Sequence, residues 1–260
     1  MTYPFTLKCY RSLIMKPAKN DLYDRYGDRL ITKQVEMEFV DLEGLPLPNA
    51  ERYVPYAKTD HPVYSPWLEP EWEKYESLAQ GGLLSSAKIC FLQQLLANMS
   101  PDTNGEIWEL GVLNGTTARI LNMVRPYTTM RLFDTFSGVA GAGQYDLLFD
   151  GDFQGNAMKA VQELLPNAHV YGGMIPETFR FVPKHTQVSF AHIDLDLYQP
   201  TLDALEEVYP RMPAGFIVVD DYGNWATPGV KLAVDTFMED KRETVITQVT
   251  SQALIIKGIF

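Results

Sequence analysis

From residue 83 onward, apolar residues alternate between short continuous runs and stretches of helical spacing. Leu83, Leu84, Ala87, Ile89, Cys90, Leu92, Leu95 and Leu96 recur broadly at the helical period, and Gly105 follows as a breaker, which predicts a buried helix leading into the main domain. Five apolar runs come next, at 107–111, 130–134, 168–171, 188–194 and 215–220, with helical stretches between them. That order predicts an α/β architecture, a doubly wound sheet with crossover helices. Two more runs, 244–249 and 253–257, lie too close together for a crossover helix, so they are expected to pair antiparallel as a terminal hairpin.

Residues 1–80 read differently. They are rich in Tyr, Pro and charge, and the prolines of Leu45-Pro46-Leu47-Pro48 and of His61-Pro62-Val63-Tyr64-Ser65-Pro66 block regular pairing, so short helices and ordered loops are expected. The character changes at Gly81-Gly82, dividing the chain into an amino-terminal region (1–80) and a main domain (81–260). At 260 residues and 46% hydrophobic, the chain is long enough for one large core with a smaller appended region. The excess of 33 acidic over 22 basic residues, a net charge of -11, opposes a polyanion, so nucleic acid is not expected as a partner. Cys9 and Cys90 form neither a disulfide framework nor a metal knuckle and read as packed thiols in a reducing interior. No run approaches the roughly 20 apolar residues of a membrane span, and Met1-Thr2-Tyr3-Pro4 lacks the layout of a secretory signal. A soluble, cytoplasmic protein without a membrane partner is expected.

The expected parallel strands end in, or run into, Gly or Asp, and the carboxyl edge is where open α/β sheets bind ligands. The first turn reads Glu109-Leu110-Gly111-Val112-Leu113-Asn114-Gly115-Thr116-Thr117: its glycines permit close backbone approach, and Thr116 and Thr117 can start the next helix. Leu113 stands where a dinucleotide fingerprint needs glycine, and no Gly-Lys-Ser/Thr phosphate loop occurs, so a nucleoside without pyrophosphate is the better fit. Asp134 closes the second run about 20 residues on, where a carboxylate accepts from ribose hydroxyls. Alone, Asp134 is better read as a turn former. With the glycine turn, in this order and spacing, it favours the nucleoside. Gly172-Gly173-Met174-Ile175 offers a further glycine turn, with Met174 either an adenine contact or plain core.

The sharpest constellation is His192-Ile193-Asp194-Leu195-Asp196-Leu197-Tyr198 followed by Val218-Val219-Asp220-Asp221-Tyr222. Strand residues two apart share a face, so Asp194 and Asp196 are expected to project together, with Asp220 and Asp221 on the neighbouring strand. Each acid alone is better read as a strand-end ornament or helix cap. Four on one rim repel unless a cation neutralises them, and all-oxygen ligation selects a hard ion such as magnesium, manganese or calcium. His192 is read as a packed, hydrogen-bonded residue outside the site.

Trp108-Glu109-Leu110-Gly111-Val112, Phe133-Asp134-Thr135-Phe136, Asp194-Leu195-Asp196-Leu197-Tyr198 and Val219-Asp220-Asp221-Tyr222-Gly223 together resemble the macrocin O-methyltransferase family, over residues 83–257. The resemblance implies a Rossmann-like seven-stranded methyltransferase sheet and an S-adenosylmethionine-dependent enzyme. It also implies magnesium (or manganese) dependence and methylation of a sugar hydroxyl on a small glycosylated acceptor in antibiotic biosynthesis. By the same resemblance Asp194, Asp220 and Asp221 ligate the metal, Asp196 is the general base, and Asp134 holds the cofactor ribose. Glu109, Gly111, Gly115, Thr116, Gly173 and Met174 complete the expected cofactor set, and a homo-oligomer is compatible with it.

Residues 1–80 depart from the family pattern and are expected to cap and shape the acceptor site. Trp67 and Trp72 there fit an aromatic lid over a sugar as well as they fit core. The glycine-rich 138–143 segment replaces a proline-containing turn, which makes Asp146, Asp150 and Asp152 candidates for a mobile loop over the cofactor. Three rival readings stand beside this one. A catechol-like phenol suits the same metal and fold. A metal-dependent glycosyltransferase fits Asp194-Leu195-Asp196 but leaves the glycine turn and hairpin unexplained. A non-catalytic cofactor-binding subunit does not account for four intact acids.

Overall fold

A computed structural model of the chain describes residues 82–100, 103–155 and 158–258. The expected amino-terminal cap, with Cys9, Trp67 and Trp72, lies outside the described residues.

The elements run in the order α1 (Ser86–Asn98), β1 (Glu106–Leu110), α2 (Thr116–Val124), β2 (Met130–Asp134), α3 (Met158–Leu164), β3 (His169–Gly172), a 3-10 turn (Glu177–Phe181), β4 (Val188–Ile193), α4 (Tyr198–Arg211), β5 (Gly215–Val219), α5 (Pro228–Met238), β6 (Val245–Thr247) and β7 (Ala253–Lys257). They build one seven-stranded sheet of order β3-β2-β1-β4-β5-β7-β6. The first five strands are parallel, and β7 runs antiparallel to both β5 and β6. The α/β sheet with its antiparallel terminal hairpin is the expected architecture. β6 is shorter than its apolar run, because the chain turns at 248–252: Ser251 N donates to Gln248 O at 3.1 Å and Gln248 N to Gln252 O at 2.8 Å.

Every residue of β4 is buried, as a central strand covered on both faces requires. Alternation along the strands divides the core in two. Trp108 and Leu110 of β1, Ala191 and Ile193 of β4 and Ile217 and Val219 of β5 pack with Leu205 and Val208 of α4 and Val230 and Val234 of α5. On the opposite face Ile107, Leu132, Phe190 and Val218 meet Leu92 and Leu96 of α1, Ala118 and Leu121 of α2 and Val161 of α3. Cys90 is buried beside Ile89 and Ile120, in keeping with the packed-thiol reading. Strand order reverses between β1 and β4, the switch point at which open α/β sheets form a crevice. Among the described residues, no helix is long and apolar enough to cross a membrane.

Candidate active site

The crevice above β1 and β4 is a cleft lined by Glu109, Gly111, Leu113, Thr116, Asp134, Gly173 and Met174 on one side and by Asp194, Leu195 and Asp196 on the other. Six of the seven residues expected to hold a cofactor therefore meet in one place. Gly115 is the exception. Its left-handed backbone (φ 79°) turns the chain into α2, and a Cβ there would press on Leu164 and Val161 at 3.2 and 3.4 Å. Asn114 prepares the same helix start, its Oδ1 accepting from Thr116 N at 3.2 Å and from the Thr116 hydroxyl at 2.7 Å.

Asp134 clamps the glycine turn. Its Oδ2 accepts from Val112 N at 2.7 Å and Leu113 N at 2.8 Å, and its Oδ1 from Phe136 N at 2.7 Å. A carboxylate offers about four acceptor positions, so Oδ1 keeps capacity for a ligand hydroxyl. The turn-forming role and the ribose role are thus compatible in one side chain. Glu109 lines the cleft but is only 1% exposed, and its Oε1 lies 3.3 Å from His192 Nδ1 on the adjacent strand. Burial pushes Glu109 above the ordinary carboxylic range, the His192 hydrogen bond and charge pull it back, and Asp134 adds a smaller upward push.

The four aspartates converge, by a different route from strand alternation. β4 ends at Ile193, so Asp194 and Asp196 lie on the turn after it, and a left-handed backbone at Asp196 (φ 62°) swings its carboxylate back to the cluster. Asp221 is left-handed too, at φ 58°. Such conformations are costly for residues with side chains and are retained at functional turns. Oxygens of Asp194, Asp196 and Asp221 lie within 4.8 Å of one another, and a second group joins His192, Asp194 and Asp220 at the same spacing. Burial and mutual repulsion raise the affinity of Asp194, Asp196 and Asp220 for protons. Asp196 is pushed up to about 8, by burial first and then by Asp221 and Asp220. Asp194 is raised well above its usual value by burial and by Asp220, Asp196 and Asp221. Asp220 is raised by burial, against the pull of Lys88.

Lys88 is the site residue that sequence reading missed. From α1 its Nζ reaches Asp220 Oδ2 at 3.1 Å and Asp221 Oδ1 at 2.6 Å. Burial works against the ammonium, but Asp220, Asp221 and Asp194 outweigh it and hold the group above its ordinary range. A signal was present, because Lys88 is the sole charged residue between positions 83 and 98, an otherwise apolar and neutral stretch. His192 is packed and hydrogen-bonded as expected, yet it also borders the cluster.

The residues fit a hard divalent ion. Asp220 Oδ1 and His192 Nε2 are buried without a hydrogen-bond partner, beside a carboxylate set that one ammonium cannot neutralise. Buried polar atoms left unpaired mark a place for an ion or water. The loop above the cleft is held by its own acids. Asp150 Oδ1 accepts from Ala142 N at 3.0 Å and Asp152 Oδ2 from Phe149 N at 2.9 Å. Asp146 accepts from Gly143 N at 2.9 Å and from Tyr198 N at 2.8 Å, which ties the loop to the start of α4.

Residues 83–254 match the family model described as Macrocin-O-methyltransferase (TylF). The 8-demethyl-8-(2,3-dimethoxy-alpha-L-rhamnosyl)-tetracenomycin-C 4'-O-methyltransferase of Streptomyces olivaceus is 29% identical over 160 residues, which cover 54% of this chain and 59% of that protein. The similarity therefore spans less than two thirds of that relative's length. Two solved structures share the fold. The O-methyltransferase NovP has a TM-score of 0.58 at 21% identity, covering 66% of this chain and 80% of its own. The calicheamicin methyltransferase CalS11 has a TM-score of 0.58 at 19% identity, covering 75% of this chain and 94% of its own. With the family model matching well over half of the chain, and the glycine turn and the Asp194-Leu195-Asp196 motif in one cleft, the protein belongs to the macrocin O-methyltransferase family.

Proposed function

We propose that this protein is an S-adenosylmethionine- and divalent-metal-dependent O-methyltransferase acting on a sugar hydroxyl of a glycosylated natural product. The observation that carries the reading is the cleft itself, in which a nucleoside-type glycine turn faces Asp194 and Asp196 across the switch point, with Asp220 and Asp221 clustered beside them. The sugar acceptor draws support from the Streptomyces olivaceus relative, named for 4'-O-methylation of a rhamnosyl compound, and from CalS11, described as a TDP-rhamnose 3'-O-methyltransferase.

Gly111, Thr116, Asp134, Gly173 and Met174 would hold the cofactor in this reading, with Asp134 serving its ribose. Asp194, Asp220 and Asp221 hold the ion, magnesium or manganese by its oxygen ligands. When bound, the ion supplies Lewis-acid polarisation of the acceptor hydroxyl, and S-adenosylmethionine supplies a methyl group already activated by its sulfonium. Asp196 would take the proton of the acceptor hydroxyl, its part in transfer of the methyl group that the cofactor would supply. Titration calorimetry tests the reading: S-adenosylhomocysteine is expected to bind, and NAD and UDP-sugars are not. Binding of UDP-sugars without S-adenosylhomocysteine would establish the glycosyltransferase alternative instead.

A further inference from the structure

We propose that Lys88 is a resident counter-ion that competes with the divalent ion for Asp220 and Asp221 and so sets how tightly the ion is held. The proposal rests on the metal reading of the cluster and adds a residue that the reading does not require. Lys88 Nζ stands 3.1 Å from Asp220 Oδ2 and 2.6 Å from Asp221 Oδ1, bonding two of the three aspartates assigned to the ion. Its side chain is 16% exposed, so the ammonium is committed to this cluster rather than to solvent.

A magnesium or manganese ion approaches its oxygen ligands to about 2.0–2.2 Å, closer than an ammonium does, and cannot share the Asp221 Oδ1 position with it. Asp220 retains one free oxygen, Oδ1, which is buried and unpaired. The ion can therefore enter on Asp220 Oδ1 and Asp194, but it gains Asp221 only as Lys88 lets go. Whether displaced or retained beside the ion, a positive charge a few ångströms away opposes a divalent cation in a medium less polarisable than water. In the ion-free protein the same ammonium offsets part of the repulsion among four carboxylates and keeps Asp220 and Asp221 together. Lys88 thus acts on the ion by positioning and competition, not as a catalytic residue.

Calorimetric titration of the full chain with Mn2+, at one fixed pH, tests this in wild type, Lys88→Met and Lys88→Gln. The expected result is tighter Mn2+ binding in both variants, by about tenfold or more. The ion-free variants are also expected to melt lower than the ion-free wild type, with the gap closing at saturating Mn2+. Should the variants fail to fold, amine-selective labelling of wild type followed by mass spectrometry reads the same event, with Lys88 expected to label faster when Mn2+ is present. Equal or weaker Mn2+ binding in the variants, or Lys88 labelling unmoved by an ion that wild type binds, overturns the proposal alone. If wild type binds no Mn2+ at all, the metal reading falls and the proposal falls with it.

Discussion

A Cβ on Gly111 would lie 1.7 Å from the carbonyl oxygen of Asp194. Asp194 N also donates to Leu110 O at 2.7 Å, so the glycine turn after β1 and the aspartate turn after β4 are in backbone contact where the strand order reverses. The two halves of the proposed site are therefore one mechanical unit. Gly111→Ala also places a side chain on a backbone at φ 87°. It is expected to cost about 2–4 kcal/mol of stability and to weaken S-adenosylhomocysteine binding together with Mn2+ binding. Thermal melts and calorimetry check this. An alanine variant that binds both ligands normally would show the two turns to be independent.

Asp134→Asn keeps the size of the side chain while removing the charge that three backbone amides share. Stability is expected to fall by about 1–3 kcal/mol, since a donating NH2 group must face one of those amides. S-adenosylhomocysteine affinity is expected to fall about tenfold or more as well, the scale of one lost hydrogen bond to a charged acceptor. A loss of stability with unchanged affinity would reduce Asp134 to a clamp of the turn.

The four aspartates are expected to separate by role. Asp194→Asn, Asp220→Asn and Asp221→Asn should each weaken Mn2+ binding. Asp196→Asn should leave Mn2+ and S-adenosylhomocysteine binding near normal while kcat falls about 100-fold or more, the range for a lost general base. If Asp196→Asn instead raises the metal requirement and regains full turnover at saturating metal, Asp196 is a ligand.

Metal removal gives a pH signature. Carboxyls whose folded values are raised hold protons that the unfolded chain releases, so stability falls as pH rises through the interval between the two values. For Asp196 that interval runs from 3.8 to about 8, and Asp194 and Asp220 shift in the same direction. The chelator-treated protein is therefore expected to melt highest near the acidic end of this window and progressively lower toward its upper end. Saturating Mg2+ should restore most of the loss at the upper end. A melting temperature of the ion-free protein that climbs across the window would contradict the burial and repulsion assigned to the cluster.

The sheet was legible because each strand is a short apolar run between helical stretches, and the largest difference in strand bounds is the end of β6. The aspartates were legible as a cluster because their spacing brings them to one edge. Strand alternation was the wrong cause: it is the left-handed turn at Asp196, which no periodicity encodes, that returns this side chain to the cluster. Lys88 was hidden because sequence separation says nothing of which helix passes over a strand end, and its partners lie 132 and 133 residues away. The pairing of Glu109 with His192 was hidden likewise, since the strand register that sets them side by side forms only when β1 and β4 meet across the switch point. Gly115 does not line the cleft, and its left-handed backbone turns the chain into α2.

The most direct test of the account is transfer of a radiolabelled methyl group from S-adenosylmethionine to a rhamnosylated acceptor, measured with the native protein, after chelation, and after Mg2+ is returned. Methyl transfer to a sugar hydroxyl that stops on chelation and recovers with Mg2+ is the predicted result. Transfer that continues unchanged in chelator would contradict the role given to Asp194, Asp220 and Asp221, and labelling of a phenolic acceptor in place of the sugar would contradict the substrate class.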